Sequence, residues 1–457
     1  MIVMKFGGTS VTDAAAIDRT AGIVKGRVER CPLVVVSAMS RVTDALLAAG
    51  KAAGEGQREN ALELARGLRE RHLATAQELV SSEQYARLGA DIDHEFNTLE
   101  ELLKGIVAVG ELSPRSSDYV VSYGERLCSK IVTEAYVARG IRSTLVDARK
   151  VMITDAQHGK AIPQPDAIEH RAKNLVRPLL DAAQVPVMGG FIGATEQGAQ
   201  TTIGRGGSDF SAALIGSGLD AEAIEIWTDV DGMMTTDPRI CPDAHRIRVV
   251  SFEEAAELAY FGAKVLHPAT VLPAVQKNIP VLVLNSLRPY SEGTLIVNRA
   301  PKSKATFKAI AAKKRITIVE IVAARMLGAH GFLKTIFDIF DKHHCSIDVV
   351  STSEVSVSLT VDSNEAIPAI AADLEKIADV KYAGRNAIVC LVGENIRETP
   401  QIAARVFTAL GDINVRMISQ GASEINITFV IREDDVPEAM RRLHKAFFTE
   451  VDPEVFD

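Results

Sequence analysis

Short apolar runs recur through the first 299 positions: IVMKF (2–6), PLVVVSA (32–38), VPVMGGFIG (185–193), AIEIWTD (223–229) and PVLVLNS (280–286). They are continuous rather than alternating and rich in β-branched residues, so they predict strands covered on both faces. With helical stretches between them, the expected architecture is a mostly parallel sheet sandwiched between helices, an α/β/α fold. Residues 57–107 combine helical periodicity with many charges and predict a helical excursion on the domain surface. RAPKSKAT (299–306) reads as a linker.

Beyond the linker a shorter unit occurs twice. The first copy reads strand ITIVEIV, helix GFLKTIFDIFDKHH, strand SIDVVSTSE, strand VSVSLTV, helix IPAIAADLEKIA and strand DVKYAG. The second reads strand AIVCLVGEN, helix TPQIAARVFTALGD, strand INVRMISQGAS, strand EINITFVI and helix VPEAMRRLHKAFF. This is βαββαβ followed by βαββα, and the missing strand would leave unpaired backbone at a sheet edge. FKAIAAKK (307–314) is a spare strand-like segment and is expected to fill the gap. The domains expected are therefore 1–299, 315–385 and 386–457, the last completed by 307–314.

A chain of 457 residues with 47% hydrophobic and 24% charged positions exceeds one ordinary core and matches a soluble multidomain protein. The net charge of −8 argues against a nucleic-acid partner. Five widely spaced cysteines, Cys31, Cys128, Cys241, Cys345 and Cys390, include no C-x-x-C pair and indicate neither a disulfide framework nor a zinc site. His343 and His344 are adjacent, so on a helix they point apart and make no metal pair. Met1 runs directly into a strand-like segment, and no apolar run approaches membrane-spanning length. These features place the protein in the cytoplasm, away from membranes.

No P-loop, protein-kinase or dinucleotide-binding signature is present. A different phosphate site is suggested by Lys5-Phe6-Gly7-Gly8-Thr9-Ser10 at the end of the first strand, where glycines let the backbone approach an anion and a lysine adds charge. Taken alone, this hexapeptide is equally consistent with a glycine turn beside a solvated lysine. TTIGRGGSD (201–209) repeats the arrangement of strand, glycine turn and helix start, and two such turns suit the two ends of a transfer reaction. Trp227 reads as core packing rather than a ligand platform.

At this point the sequence resembles the aspartokinases over essentially its whole length. The segments that carry the resemblance are KFGGTSV (5–11), SYGERL (122–127), TTIGRGGSD (201–209), WTDVDG with TTDPR (227–239), FGAKVLHPAT (261–270) and STSEVSVSLTVD (351–362). The resemblance implies an amino-acid-kinase domain followed by two ACT domains, ATP with Mg²⁺ as cofactors, and L-aspartate as the acceptor. By resemblance, Lys5 and Asp209 are catalytic and Thr43, Glu125, Arg205 and Ser208 hold the substrate. By the same resemblance, nucleotide contacts are expected on Lys5, Phe6, Gly7, Gly8, Thr228, Asp229, Met234, Arg239, Lys264 and Val265. Met234 stands where many relatives carry a tyrosine. A carboxylate acceptor is already ionised at neutral pH and needs no general base, which fits the lack of one among the motifs. An arginine fork suits a substrate's α-carboxylate, and a glutamate its α-ammonium.

In the first repeat, GAHGFLKTIF and IDVVSTSE would offer a helix N-terminus and small hydroxyls to a free amino acid. By resemblance, Met326, Gly331, Phe332, Leu333, Asp348, Thr352 and Ser353 line an effector pocket at a dimer interface. The effector expected is lysine ahead of threonine, and the assembly a homodimer or dimer of dimers through the ACT domains. Two other readings remain at this stage: a kinase of the same fold acting on glutamate or an acylated amino acid, and a catalytically dead amino-acid sensor.

Overall fold

The computed structural model describes the chain except residues 205, 263–267, 302–305 and 324–329, and the side chains of 268 and 269. It divides into two compact units. One comprises Met1–Gly232, Val250–Phe252 and Val265–Arg299, the other Met233–Val249, Glu253–Lys264 and Ala300–Asp457.

The strands of the first unit are β1 (Ile2–Phe6), β2 (Pro32–Val36), β3 (Ser143–Leu145), β4 (Val185–Gly189), β5 (Ile192–Ala194), β6 (Gln200–Thr202), β7 (Ala223–Thr228), β8 (Val249–Ser251), β9 (Val281–Asn285) and β10 (Thr294–Val297). Eight form one sheet in the order β3-β4-β2-β1-β7-β9-β10-β8, while β5 and β6 make a separate antiparallel ribbon. From β3 to β9 every neighbouring pair is parallel, and β10 runs antiparallel to β9. The apolar runs at 2–6 and 32–36 are buried at every position, as a sheet covered on both faces requires. Its helices are α1 (Ala14–Lys25), α2 (Val42–Gly54), α3 (Arg58–Leu79), α4 (Ser82–Val109), α5 (Pro114–Ala138), α6 (Pro165–Leu175), α7 (Arg177–Asp181), α8 (Gly207–Gly218) and α10 (Pro268–Gln276). Residues 58–109 form the helical excursion as α3 and α4, with their apolar stripe packed into the core through Leu68, Leu88, Ile92, Phe96 and Leu99. Strand order reverses beside β1, whose neighbours β2 and β7 precede and follow the long helical insertion; open sheets of this kind hold ligands at the carboxyl ends of the strands at such a point.

The second unit holds α9 (Phe252–Tyr260), of which residues 253–260 belong to it, and a six-stranded antiparallel sheet. Its strands are β11 (Ala309–Val322), β12 (Ile347–Thr352), β13 (Ser356–Asp362), β14 (Asp379–Val392), β15 (Met417–Gln420) and β16 (Asn426–Arg432), in the order β12-β13-β11-β14-β16-β15. Helices α11 (Phe332–Lys342), α12 (Ile367–Leu374), α13 (Ile402–Leu410) and α14 (Val436–Phe447) complete it. A core around Val319, Ile321, Ile336, Phe340, Leu359 and Ile370 joins the sheet to α11 and α12.

Two pairs of segments that read as separate strands are continuous here. FKAIAAKK and ITIVEIV fuse into β11, and DVKYAG and AIVCLVGEN into β14, each strand 14 residues long. Residues 309–313 pair with 388–392, and 316–322 with 379–386, with register shifts between Lys313 and Ile318. At that irregularity Arg315 and Arg385 take positive φ, 61° and 57°. The expected breaks are thus bulges that bend the ladder without ending it.

Candidate active site

The site is built where β1 and β7 end and the following segments fold over them. Lys5, the penultimate residue of β1, points its Nζ to within 2.6 Å of Asp209 Oδ1. Asp209 lies in the first turn of α8, whose N-cap Gly206 has φ 74°, a conformation that favours glycine. The first turn of α8 and the Lys5 ammonium therefore border one space, an arrangement suited to phosphate. The space is a cavity of about 500 Å³ lined by both glycine turns, by Ser37–Arg41 and by Thr43, Glu125, Ser208 and Thr228.

Glu125 sits in a setting unfavourable to its charge. It is 3% exposed, its Oε1 accepts the Ala38 N–H at 3.1 Å, and its Oε2 has no partner among the described residues. Burial pushes its carboxyl from the ordinary 4.5 up to about 8, against the pull of that hydrogen bond. A buried carboxyl with a free oxygen facing a cavity suits a cation that arrives with a ligand. Ser37 donates to Ser208 Oγ at 3.0 Å, tying the end of β2 to the start of α8.

Gly189 and Gly190 permit this closeness: a Cβ on Gly189 would lie 2.9 Å from Glu125 Cβ, and one on Gly190 would lie 2.7 Å from Ser208 Cα. From sequence VPVMGGFIG reads as a strand, with no role for these glycines or for Ser37. The available signal was a second Gly-Gly pair at a strand end, matching Gly7-Gly8.

Among the other expected ligand residues, Gly7 and Gly8 line the cavity with Lys5, whereas the Phe6 side chain is fully buried and stacked on Trp227 at 6.0 Å, leaving only its backbone for a ligand. Asp229 accepts from Thr228 Oγ1 at 3.2 Å. In the second unit, Met234 bridges to Arg246, and the Arg239 fork is occupied by Asp237 at 2.9 and 2.7 Å. Arg205, Lys264, Val265 and Met326 lie outside the described residues, as does His267.

Of the expected effector residues, Gly331 caps α11 with φ 86°, and Phe332 and Leu333 begin that helix. Asp348 already has partners: Lys313 Nζ at 2.9 Å and the Tyr260 hydroxyl at 2.5 Å. Thr352 ends β12, and the Ser353 hydroxyl pairs with that of Ser356 at 2.7 Å.

Residues 1–285 match the model of the amino acid kinase family, and residues 319–372 and 389–447 match an ACT domain. Fold and site together define a member of the amino acid kinase class with a paired regulatory module. The chain is 38% identical to aspartokinase 2, chloroplastic, of Arabidopsis thaliana, an alignment covering 99% of this chain and 85% of that protein. It is 36% identical to lysine-sensitive aspartokinase 3 of Escherichia coli (strain K12), covering 98% and 99%. Among solved structures, E. coli aspartokinase III in complex with aspartate and ADP (R-state) superposes with a TM-score of 0.86 at 35% identity over 98% of this chain and 100% of that one. The same enzyme in complex with lysine and aspartate (T-state) gives 0.83 at 36% identity, covering 98% and 99%. The chain belongs to the aspartokinase family.

Proposed function

We propose that this protein transfers the terminal phosphoryl group of ATP to the β-carboxylate of L-aspartate, giving 4-phospho-L-aspartate, the first step of the aspartate-family amino-acid pathway. The observation that carries this reading is the convergence on one cavity of the Lys5 ammonium, the α8 N-terminus and the unpartnered oxygen of Glu125. The acceptor carboxylate is ionised at neutral pH, so the site has to align two anions and offset their repulsion rather than remove a proton. Lys5 and the α8 amides serve the transferring phosphoryl group, Asp209 holds the Lys5 ammonium in place, and Glu125 takes the substrate ammonium. Thr43 and Ser208 line the same cavity and complete the grip with Arg205, while Thr228 and the glycine turn at 7–8 face the nucleotide. Asp229, Met234, Arg239, Lys264 and Val265 are assigned to the nucleotide by family resemblance.

Mg²⁺ would arrive with ATP. No helix among the described residues is long and apolar enough to cross a membrane, and we assign the protein to the cytoplasm. We assign residues 1–299 to catalysis and 315–385 and 386–457, with 307–314, to two ACT domains that pair with a second copy. Exposed apolar side chains on the strands of that unit, Val322, Val350 and Ile418, support such pairing.

The effector favoured is lysine. Its ammonium, drawn to Asp348, would compete with Lys313 and Tyr260, so the sensor binds by exchange of partners. A phosphotransfer assay across aspartate, glutamate and N-acetylglutamate, with and without lysine or threonine, tests the whole reading. Aspartate should be the preferred acceptor and lysine the stronger inhibitor; preference for another acceptor ends it.

A further inference from the structure

Helix α5 carries Asp118, Ser122 and Glu125, spaced four and three residues apart and so aligned on one face. Glu125 reaches the cavity. Asp118, two turns earlier and only 2% exposed, reaches instead the segments that flank the second glycine turn. Its Oδ1 accepts from Thr202 Oγ1 at 2.5 Å and from Gly159 N–H at 3.0 Å, and its Oδ2 from Gly159 N–H at 3.0 Å and His158 Nδ1 at 2.8 Å. Ser122 donates to Gln200 Oε1 at 2.8 Å, so the helix face holds both ends of β6.

Those anchors lie next to the glycine turn. Thr202 is followed by Ile203 and Gly204, and the Ala161 N–H donates to the Thr202 carbonyl at 2.9 Å. Gly204 packs over Gly159 and Lys160, and Gly204, Gly206 and Gly207 line the cavity. Arg205 follows Thr202 by three positions in the chain. Burying a carboxylate is costly unless its oxygens are satisfied. Here nearly all the satisfaction comes from the two segments that carry this turn.

We propose that Asp118 is a positioning residue for the amino-acid head of the acceptor: it fixes the separation between Glu125, on its own helix, and the glycines at 204, 206 and 207. The inference rests on the aspartate-kinase reading and adds a group that does not touch the substrate. It predicts a defect selective for the acceptor, because the hydrogen bonds of Asp118 go to His158, Gly159 and Thr202 rather than to Lys5 or the Gly7–Gly8 side of the cavity.

The test is steady-state kinetics and thermal melting of Asp118→Ala, Asp118→Asn and Thr202→Val beside the wild type. Misplacement of a substrate grip predicts a rise in KM for aspartate of about tenfold or more in Asp118→Ala, with KM for ATP and kcat changed less than about threefold. Asp118→Asn keeps one acceptor oxygen for Thr202 and Gly159 and should recover most of the loss, with Thr202→Val intermediate. Unchanged KM for aspartate in the alanine and valine variants would overturn the proposal. So would parallel loss of kcat and both KM values together with melting temperature. Should Asp118→Ala not fold, Thr202→Val, which removes a single bond, carries the same test. A wild type that prefers another acceptor would sink the aspartate reading separately.

Discussion

Two lysines sit inside this protein near the ends of strands, and their surroundings differ in carboxylate partners and in the space beside them. Lys308, one residue before β11, has a fully buried side chain whose ammonium meets Glu254 at 2.9 Å and Glu394 at 3.0 Å. Lys5, in β1, is nearly as buried but among the described residues meets one carboxylate, Asp209, at 2.6 Å, and borders a cavity of about 500 Å³. A buried cation closed in by two carboxylates is part of the fold's own electrostatics. One with a single carboxylate and open space beside it has donors left for a visitor. Burial and charge are shared; the void separates architecture from chemistry.

The comparison can be broken at either lysine. Lys308→Met leaves Glu254 and Glu394 facing each other without their cation, and should lower the stability of the second unit by about 3–5 kcal/mol in denaturant titration. Adding Glu254→Gln and Glu394→Gln should return much of that loss, whereas no recovery would mean that packing rather than charge was removed. Lys5→Met should instead lower kcat by about 10²–10³-fold, near 2.7–4 kcal/mol of barrier, with the melting temperature little changed. A Lys5 variant that unfolds the chain, or a Lys308 variant that only slows turnover, would erase the distinction.

Glu125 supplies the most graded effect. Its carboxyl is raised from 4.5 to about 8, so the empty folded protein holds a proton there that the unfolded chain has released. The stability from this group is full below about 4.5 and is lost as pH rises through about 8, so the ligand-free melting temperature should decline across that window and decline less in Glu125→Gln. An acceptor's ammonium needs the ionised form, so wild-type KM for aspartate should fall as pH rises toward 8, and the Gln variant should show a high, flat KM. A wild-type KM independent of pH would show that Glu125 is not the partner.

Much of the first unit was legible because its strands announce themselves. Buried parallel strands read as unbroken apolar runs, and β1, β2, β4, β7 and β9 fall within the runs named from sequence. Strands β3, β8 and β10 are three or four residues long and carry no run of their own in the sequence, since neighbours rather than local composition place them. Lys5 was legible because paired glycines follow it at a strand end. Lys308 was not: FKAIAAKK holds three lysines, and only the distant Glu254 and Glu394 distinguish the first of them. The fusion of DVKYAG with AIVCLVGEN was hidden by Gly384 and Arg385, which read as a stop but form a bend. Asp118 was hidden for a related reason, since its partners lie 40 to 84 residues away.

The fused strands β11 and β14 carry one last implication. Each contributes one half to each repeat, and the second repeat takes its closing strand, 309–313, from the chain that precedes the first, so the two share unbroken strands. Such a pair cannot melt one member at a time: calorimetry on the regulatory half should give one endotherm, and a small molecule seated in either copy should raise the melting point of both.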